Sequence, residues 1–124
     1  MLMLFSGNSE YFIKEVENDN FAEAIKLIKP FALQGDADAQ YNIGRIYGIT
    51  FTGLELDYKE AEKWLKLAAE QGHVHAQFSL GLMYYYGQGV KQDYAQAVRW
   101  YMLAAEQGNT VAQEFLAKMF NGIT

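Results

Sequence analysis

The chain has 124 residues, enough for one domain with a sizeable core, and its 51% apolar content rules out a disordered tail. Fifteen acidic against ten basic residues give a formal charge of −5, the wrong sign for a reader of phosphate backbones, so no nucleic-acid partner is expected. There is no cysteine, hence no disulfide framework, thiolate zinc site or cysteine nucleophile.

The amino terminus, MLMLF, lacks the basic region and small-residue cleavage site of a signal peptide. No apolar run approaches the roughly 20 residues of a membrane span. The expectation is a soluble cytoplasmic chain without membrane insertion, or a periplasmic one if a leader was removed. A short first helix is predicted over 8–18, capped at Asn8 or Ser9, with Phe12, Ile13 and Val16 as its apolar stripe. Residues 1–5 extend it backwards or pack as an apolar cap.

Three longer helices are predicted over 20–34, 57–71 and 93–107. Each opens on the same pattern: Asn20-x-x-Glu23, Asp57-x-x-Glu60 and Asp93-x-x-Gln96. A short polar side chain there can accept from the free N–H three residues on, and the acid or amide can reach back. Each then stops at a glycine, Gly35, Gly72 or Gly108, the residue suited to a left-handed helix terminus. Pro30 stands where the later copies have Leu67 and Leu103. It removes a donor and crowds the Lys26 carbonyl, so a kink or broken last turn is expected. Call these helices B. A-type helices are predicted over 37–48, 74–86 and 110–121, with Ala39, Gly44 and Tyr47 recurring as Ala76, Gly81 and Tyr84. Small residues at those places let a neighbouring helix approach closely.

The elements are copies of one another. A shift of 36 pairs Asp57 with Asp93, Trp64 with Trp100, Gly72 with Gly108 and Gln77 with Gln113. A shift of 37 pairs Asn20 with Asp57, Ala24 with Ala61, Gly35 with Gly72, Gln40 with Gln77 and Gly44 with Gly81. The extra residue falls in the connection 49–56. Self-similarity at this period signals a stacked array. The reading is all-α, a solenoid of antiparallel helix pairs with about seven helices in a single domain. Its parts are a capping helix over 1–19, a divergent repeat over 20–56, a full repeat over 57–92 and a truncated repeat over 93–124.

Residues 61–94 carry Ala61, Trp64, the run Ala68-Ala-Glu-Gln-Gly72, Ala76-Gln77, Leu80-Gly81, Met83-Tyr84, Gly87-x-Gly89-Val90 and Asp93-Tyr94. This pattern resembles the Sel-one-like repeat family, a tetratricopeptide-like group. Residues 97–119 match the next unit, with Ala117 in place of the glycine, and 20–47 match loosely, with Leu27 in place of tryptophan. The resemblance implies a right-handed superhelix and the role of an adaptor for protein complexes, often in bacteria. Some cysteine-rich relatives are linked to β-lactam chemistry, but their cysteines are missing here.

Local signals for chemistry are few. His73 and His75 lie two apart at a helix start and share no face, so they read as loop residues and no metal is expected. Gly87-Gln88-Gly89 follows a helix and lacks Lys-Ser/Thr, so it is a turn and not a phosphate loop. The carboxylates fall on solvated helix faces, no Ser-His-Asp set carries a local signature, and no catalytic residue or cofactor is assigned. Trp64 and Trp100 read as core buried between adjacent units. The run Phe78-Ser-Leu-Gly-Leu-Met-Tyr-Tyr-Tyr86 is different, being apolar nearly all round its helix. Such a helix is either wholly buried or holds a partner.

The resemblance places the outward faces of the A helices along a concave groove. That face carries Asp38, Tyr41 and Arg45, then His75, Phe78, Leu82, Tyr85 and Tyr86, then Glu114 and Lys118. The expected function is non-catalytic binding of a partner protein's peptide or helix in this groove. Self-association into a scaffold is the first alternative, and a hydrolase or metal-binding protein the second.

Overall fold

The computed structural model describes residues 9–48 and 57–121, and the described residues form seven α-helices with no strand. These are α1 (Ser9–Glu17), α2 (Phe21–Leu33), α3 (Ala37–Tyr47), α4 (Tyr58–Glu70), α5 (Val74–Tyr86), α6 (Tyr94–Glu106) and α7 (Thr110–Asn121). Each packs on its neighbours in sequence, which makes the array a solenoid. The expected helices are all present, 74–86 and 110–121 to the residue. The expectations placed on residues 1–5 and on the connection 49–56 lie outside the described residues.

One turn builds every B-to-A corner. Gly35, Gly72 and Gly108 have φ of 103°, 93° and 96°, and each ends its B helix as expected. At the second corner the Gly72 N–H donates to the Ala69 carbonyl and the His73 N–H to the Ala68 carbonyl. Gly35 with Asp36 and Gly108 with Asn109 repeat the pair of bonds. This closure satisfies carbonyls that a helix end leaves free. The residue that completes it also caps the next helix. Asp36 Oδ1 accepts from the Ala39 N–H, His73 Nδ1 from Ala76 and Asn109 Oδ1 from Ala112. Two helices are thus joined with no spare residue, which fixes their antiparallel packing.

Two local expectations need correction. Asp57 and Asp93 accept from the Glu60 and Gln96 N–H groups as expected, but the Asn20 side chain makes no cap bond. Asn20 instead completes the closure of α1, donating its N–H to the Glu15 carbonyl after Asp19 turns left-handed at φ 57°. Nor does Glu60 reach back to Asp57. Its Oε2 accepts from Trp64 Nε1 at 3.0 Å, and the Asp57 N–H goes to the Tyr47 carbonyl. The expected break at Pro30 is absent as well: α2 runs through it to Leu33. Pro30 and Lys26 are both exposed, so the donor is lost on the solvent side, where water can serve the Lys26 carbonyl.

The core passes from repeat to repeat. Trp64 packs with Phe12, Ala24, Ile28, Ile43 and Ile46 of the preceding helices, and Trp100 with Tyr41, Leu65, Leu80 and Met83. Both tryptophans are buried between adjacent units, as expected. Two glycines set the spacing within A–B pairs. A Cβ at Gly44 would lie 2.7 Å from Leu65 Cγ, and one at Gly81 2.4 Å from the Tyr101 ring.

A ladder of glutamines spans the same interfaces. Gln40 Nε2 donates to the Ala32 carbonyl, Gln77 to Ala69 and Gln113 to Ala105, each serving the end of the B helix before it. From the B helix that follows, Gln71 donates to Gln40 Oε1 at 2.9 Å and Gln107 to Gln77 Oε1 at 2.8 Å. A buried amide is costly unless its donor and acceptor both find partners, and here each supplies what the other lacks.

Candidate protein-interaction site

The A helices hold the expected site residues in two groups. The first lies between α3 and α5. Asp38 Oδ1 meets His73 Nε2 at 2.9 Å, Tyr41 stacks on His73 at 4.6 Å, and the Arg45 guanidinium lies over the Tyr41 ring at 5.6 Å. His75, 5.9 Å from Tyr41, is exposed. Tyr41 itself is buried, so it works as a wedge between the two helices.

His73 has a definite tautomer. Nδ1 accepts from the Ala76 N–H, so the proton sits on Nε2 and is donated to Asp38. Both ring nitrogens are engaged, which leaves the imidazole no free site for a metal or a substrate proton. Burial lowers its pKa below 6.5, outweighing the Asp38 bond, which acts the other way. A folded-state pKa below the unfolded value means that neutral His73 contributes stability above pH 6.5, lost as pH falls through the folded pKa. The midpoint of urea unfolding should therefore drop between pH 7.5 and 5. His73→Asn keeps a cap like that of Asn109 and should flatten part of the drop; an unchanged profile would assign it to other groups.

The second group lies where α5, α6 and α7 meet. Phe78 is half-buried, 5.6 Å from Tyr101 and 5.6 Å from Phe115, with Leu82 packed beside it. Tyr85 is half-buried and contacts Tyr86 edge-on at 4.9 Å and Tyr94 at 5.2 Å, while Tyr86 is 60% exposed. Tyr85, Tyr86, Phe115, Met119 and the exposed Lys118 line a hollow of about 340 Å³. Glu114 is exposed on the same helix as Lys118. A larger hollow, about 680 Å³, runs along the B helices α2 and α4 beside Trp64, Leu33 and Leu67. It brings Lys29 and Lys63 together with Asp57 and Glu60, so its apolar lining is crossed by charges of both signs.

Tyr101 is wholly buried, and its hydroxyl has no hydrogen-bond partner among the described residues. Burial, with Tyr86 and Tyr85 nearby, raises its pKa far above that of a free phenol. Tyr101→Phe should therefore leave stability unchanged or raise it by about 1 kcal/mol. A clear loss in chemical denaturation would mean that the hydroxyl has a partner in solution.

Sequence reasoning missed the second role of His73, read as a loop residue, and the caps at Asp36 and Asn109. The signal was there: each polar residue directly follows a helix-ending glycine. It also missed the glutamine ladder, though Gln40, Gln77 and Gln113 recur in register. Among the described residues no three His, Asp or Glu side chains gather into a metal site, and no helix is long and apolar enough to cross a membrane.

An all-α array of paired helices, repeated every 36 or 37 residues and joined by a glycine–cap corner, defines an α-solenoid repeat protein. The Sel1 repeat profile matches residues 37–73 and 74–109, more than half of the chain, and the chain belongs to the Sel1 repeat family. Among solved structures it is similar to a Sel1 repeat protein from Oxalobacter formigenes, with TM-score 0.83 and 32% identity, covering 93% of this chain and 47% of that one. It is also similar to c5321, a protective antigen of uropathogenic Escherichia coli strains displaying an SLR fold. There the TM-score is 0.72 and the identity 43%, over 79% of this chain and 21% of that one. The chain thus spans about half the length of the first and a fifth of the second. No curated protein sequence matches it. Sel1 repeat proteins are generally protein-interaction modules and typically non-catalytic scaffolds.

Proposed function

We propose that the chain binds a peptide or helix of a partner protein along the outward faces of α3, α5 and α7. The observation that carries this is the hollow formed by Tyr85, Tyr86, Phe115, Met119 and Lys118. Its aromatic walls suit one apolar anchor side chain, and Lys118 at its edge favours an acidic neighbour on the ligand. Arg45 and His75 on one side and Glu114 on the other extend the surface for charges flanking the anchor.

Tyr86→Ala is the clean variant, because Tyr86 is exposed and its loss leaves the core intact. It should weaken a bound partner by about 2 kcal/mol, with an unchanged circular dichroism spectrum and unfolding midpoint. Phe78→Ala should weaken binding too, but Phe78 also packs on Tyr101, so some of its effect will be on stability. If both variants bind normally while Lys59→Ala and Lys63→Ala on the B-helix side do not, the assignment is wrong. Solution mass over a concentration series separates partner binding from self-association.

A further inference from the structure

The hollow between α5 and α7 has a counterpart one repeat earlier. A hollow of about 160 Å³ lies between α3 and α5, with Arg45 and Gly48 on one side and Ser79, Leu82 and Met83 on the other. Buried Ala61 and Leu65 of α4 form its floor. The shift of 36 carries Ser79, Leu82 and Met83 onto Phe115, Lys118 and Met119, which line the second hollow. The shift of 37 carries Gly48 onto Tyr85, which lines it too. One feature is thus built twice, in successive gaps between A helices. Arg45, Leu82 and Lys118 hold one place of the repeat in α3, α5 and α7. Leu82 lines the first hollow and packs on the same core cluster as Tyr85, Phe115 and Met119 of the second. Across the array the order is cation, hollow, leucine, hollow, cation.

Resting on the peptide-binding reading above, we infer that both hollows hold one extended peptide, each taking one apolar side chain, with an acidic residue beyond each anchor. Two pits parted by Leu82 suit a thin chain, whereas a helix, about 10 Å across with its side chains, needs an open trough. Neighbouring helices pack roughly 10 Å apart, which sets the step from one hollow to the next. A polyproline-type strand advances about 9 Å in three residues and returns to the same side. The two anchors are therefore three residues apart. Their sizes differ. The first hollow is the smaller, walled by Leu82 and Met83, and takes a compact aliphatic side chain. The second, about 340 Å³ with the rings of Tyr85, Tyr86 and Phe115, takes an aromatic one. Arg45, its guanidinium over Tyr41, and exposed Lys118 stand at the two outer edges and complement the acidic residues.

The probes are two fluorescent peptides, Glu-Leu-Ser-Ser-Phe-Glu and Glu-Phe-Ser-Ser-Leu-Glu, one for each chain direction, titrated with the full 124-residue chain by anisotropy. One of them should bind, and replacing its leucine by alanine should weaken it at least about tenfold. A third serine between the anchors should cost as much. Gly48→Tyr fills the first hollow with the residue found at Tyr85. A Cβ at Gly48 meets nothing nearer than 3.6 Å and its φ is −91°, so the circular dichroism spectrum should be unchanged. This variant should bind the leucine peptide only as well as the alanine peptide, whose own affinity it should leave alone. Arg45→Glu should weaken the leucine peptide, and lysine in place of the glutamate beside the leucine should restore it. Sensitivity to Tyr86→Ala without sensitivity to Gly48→Tyr, or equal affinity of the leucine, alanine and three-serine peptides, would overturn the inference and leave a single-anchor site. Binding of neither peptide, or indifference to Gly48→Tyr and Tyr86→Ala alike, would overturn it together with the reading it rests on.

Discussion

Trp100→Ala should lower the unfolding free energy by about 3–5 kcal/mol, the range for removing a buried tryptophan. The indole belongs to one buried cluster with Leu65, Leu80 and Met83 of the preceding repeat, so no single neighbour can collapse into the space. In a small array such a loss is a large share of the total stability. Because each repeat gains much of its stability from its neighbours, the variant should also lose cooperativity. Urea unfolding followed by circular dichroism would show a lower midpoint and a shallower slope. A loss under about 1 kcal/mol would mean that Trp100 is not the joint between repeats.

Gly81→Ala should cost about 2–3 kcal/mol, in the range for overpacking a fitted core. The new Cβ would lie 2.4 Å from two carbons of the Tyr101 ring, which is wholly buried and flanked by Phe78 and Phe115. A rigid buried ring with Phe78 and Phe115 packed beside it has little room to step aside. Gly44→Ala should cost less, because its first obstacle is the branched end of Leu65, which can change rotamer. Equal costs would show that backbone shifts, and not the ring, absorb the clash. The double variant Gly81→Ala with Tyr101→Ala should recover part of what Gly81→Ala loses.

The repeat spacing carried the fold because each physical requirement is local and recurs. The glycine stops, the Asp57 and Asp93 caps and the apolar stripes around Trp64 and Trp100 can each be read within one helical turn, and all stand in the structure. The errors fell where a local pattern had a second way to be satisfied. Glu60 could reach back to Asp57 or up to Trp64, and it takes Trp64. Asn20 could cap α2 or close α1, and its backbone closes α1. Pro30 is tolerated because its side of α2 faces water, a fact of tertiary placement that composition does not encode.

The site was less legible than the scaffold. The aromatic run on α5 was conspicuous, but its period is indifferent to direction, and the structure divides it. Leu80 and Met83 are buried, Phe78 and Tyr85 half-buried, and Tyr86 is open. Which tyrosine is free depends on α6 and α7, whose contacts with α5 cannot be read from α5 itself. The His73–Asp38 bond joins residues 35 apart and was equally invisible.

The most direct test of the interaction surface is selection of a displayed random peptide library on the purified 124-residue chain, with bound sequences compared among variants. The surface described here predicts enriched peptides with an apolar anchor beside an acidic residue. Their binding should fall at least about tenfold with Tyr86→Ala or Lys118→Glu and stay unchanged with Lys59→Ala and Lys63→Ala. Enriched peptides that ignore Tyr86 and Lys118 but depend on Lys59 and Lys63 would contradict it.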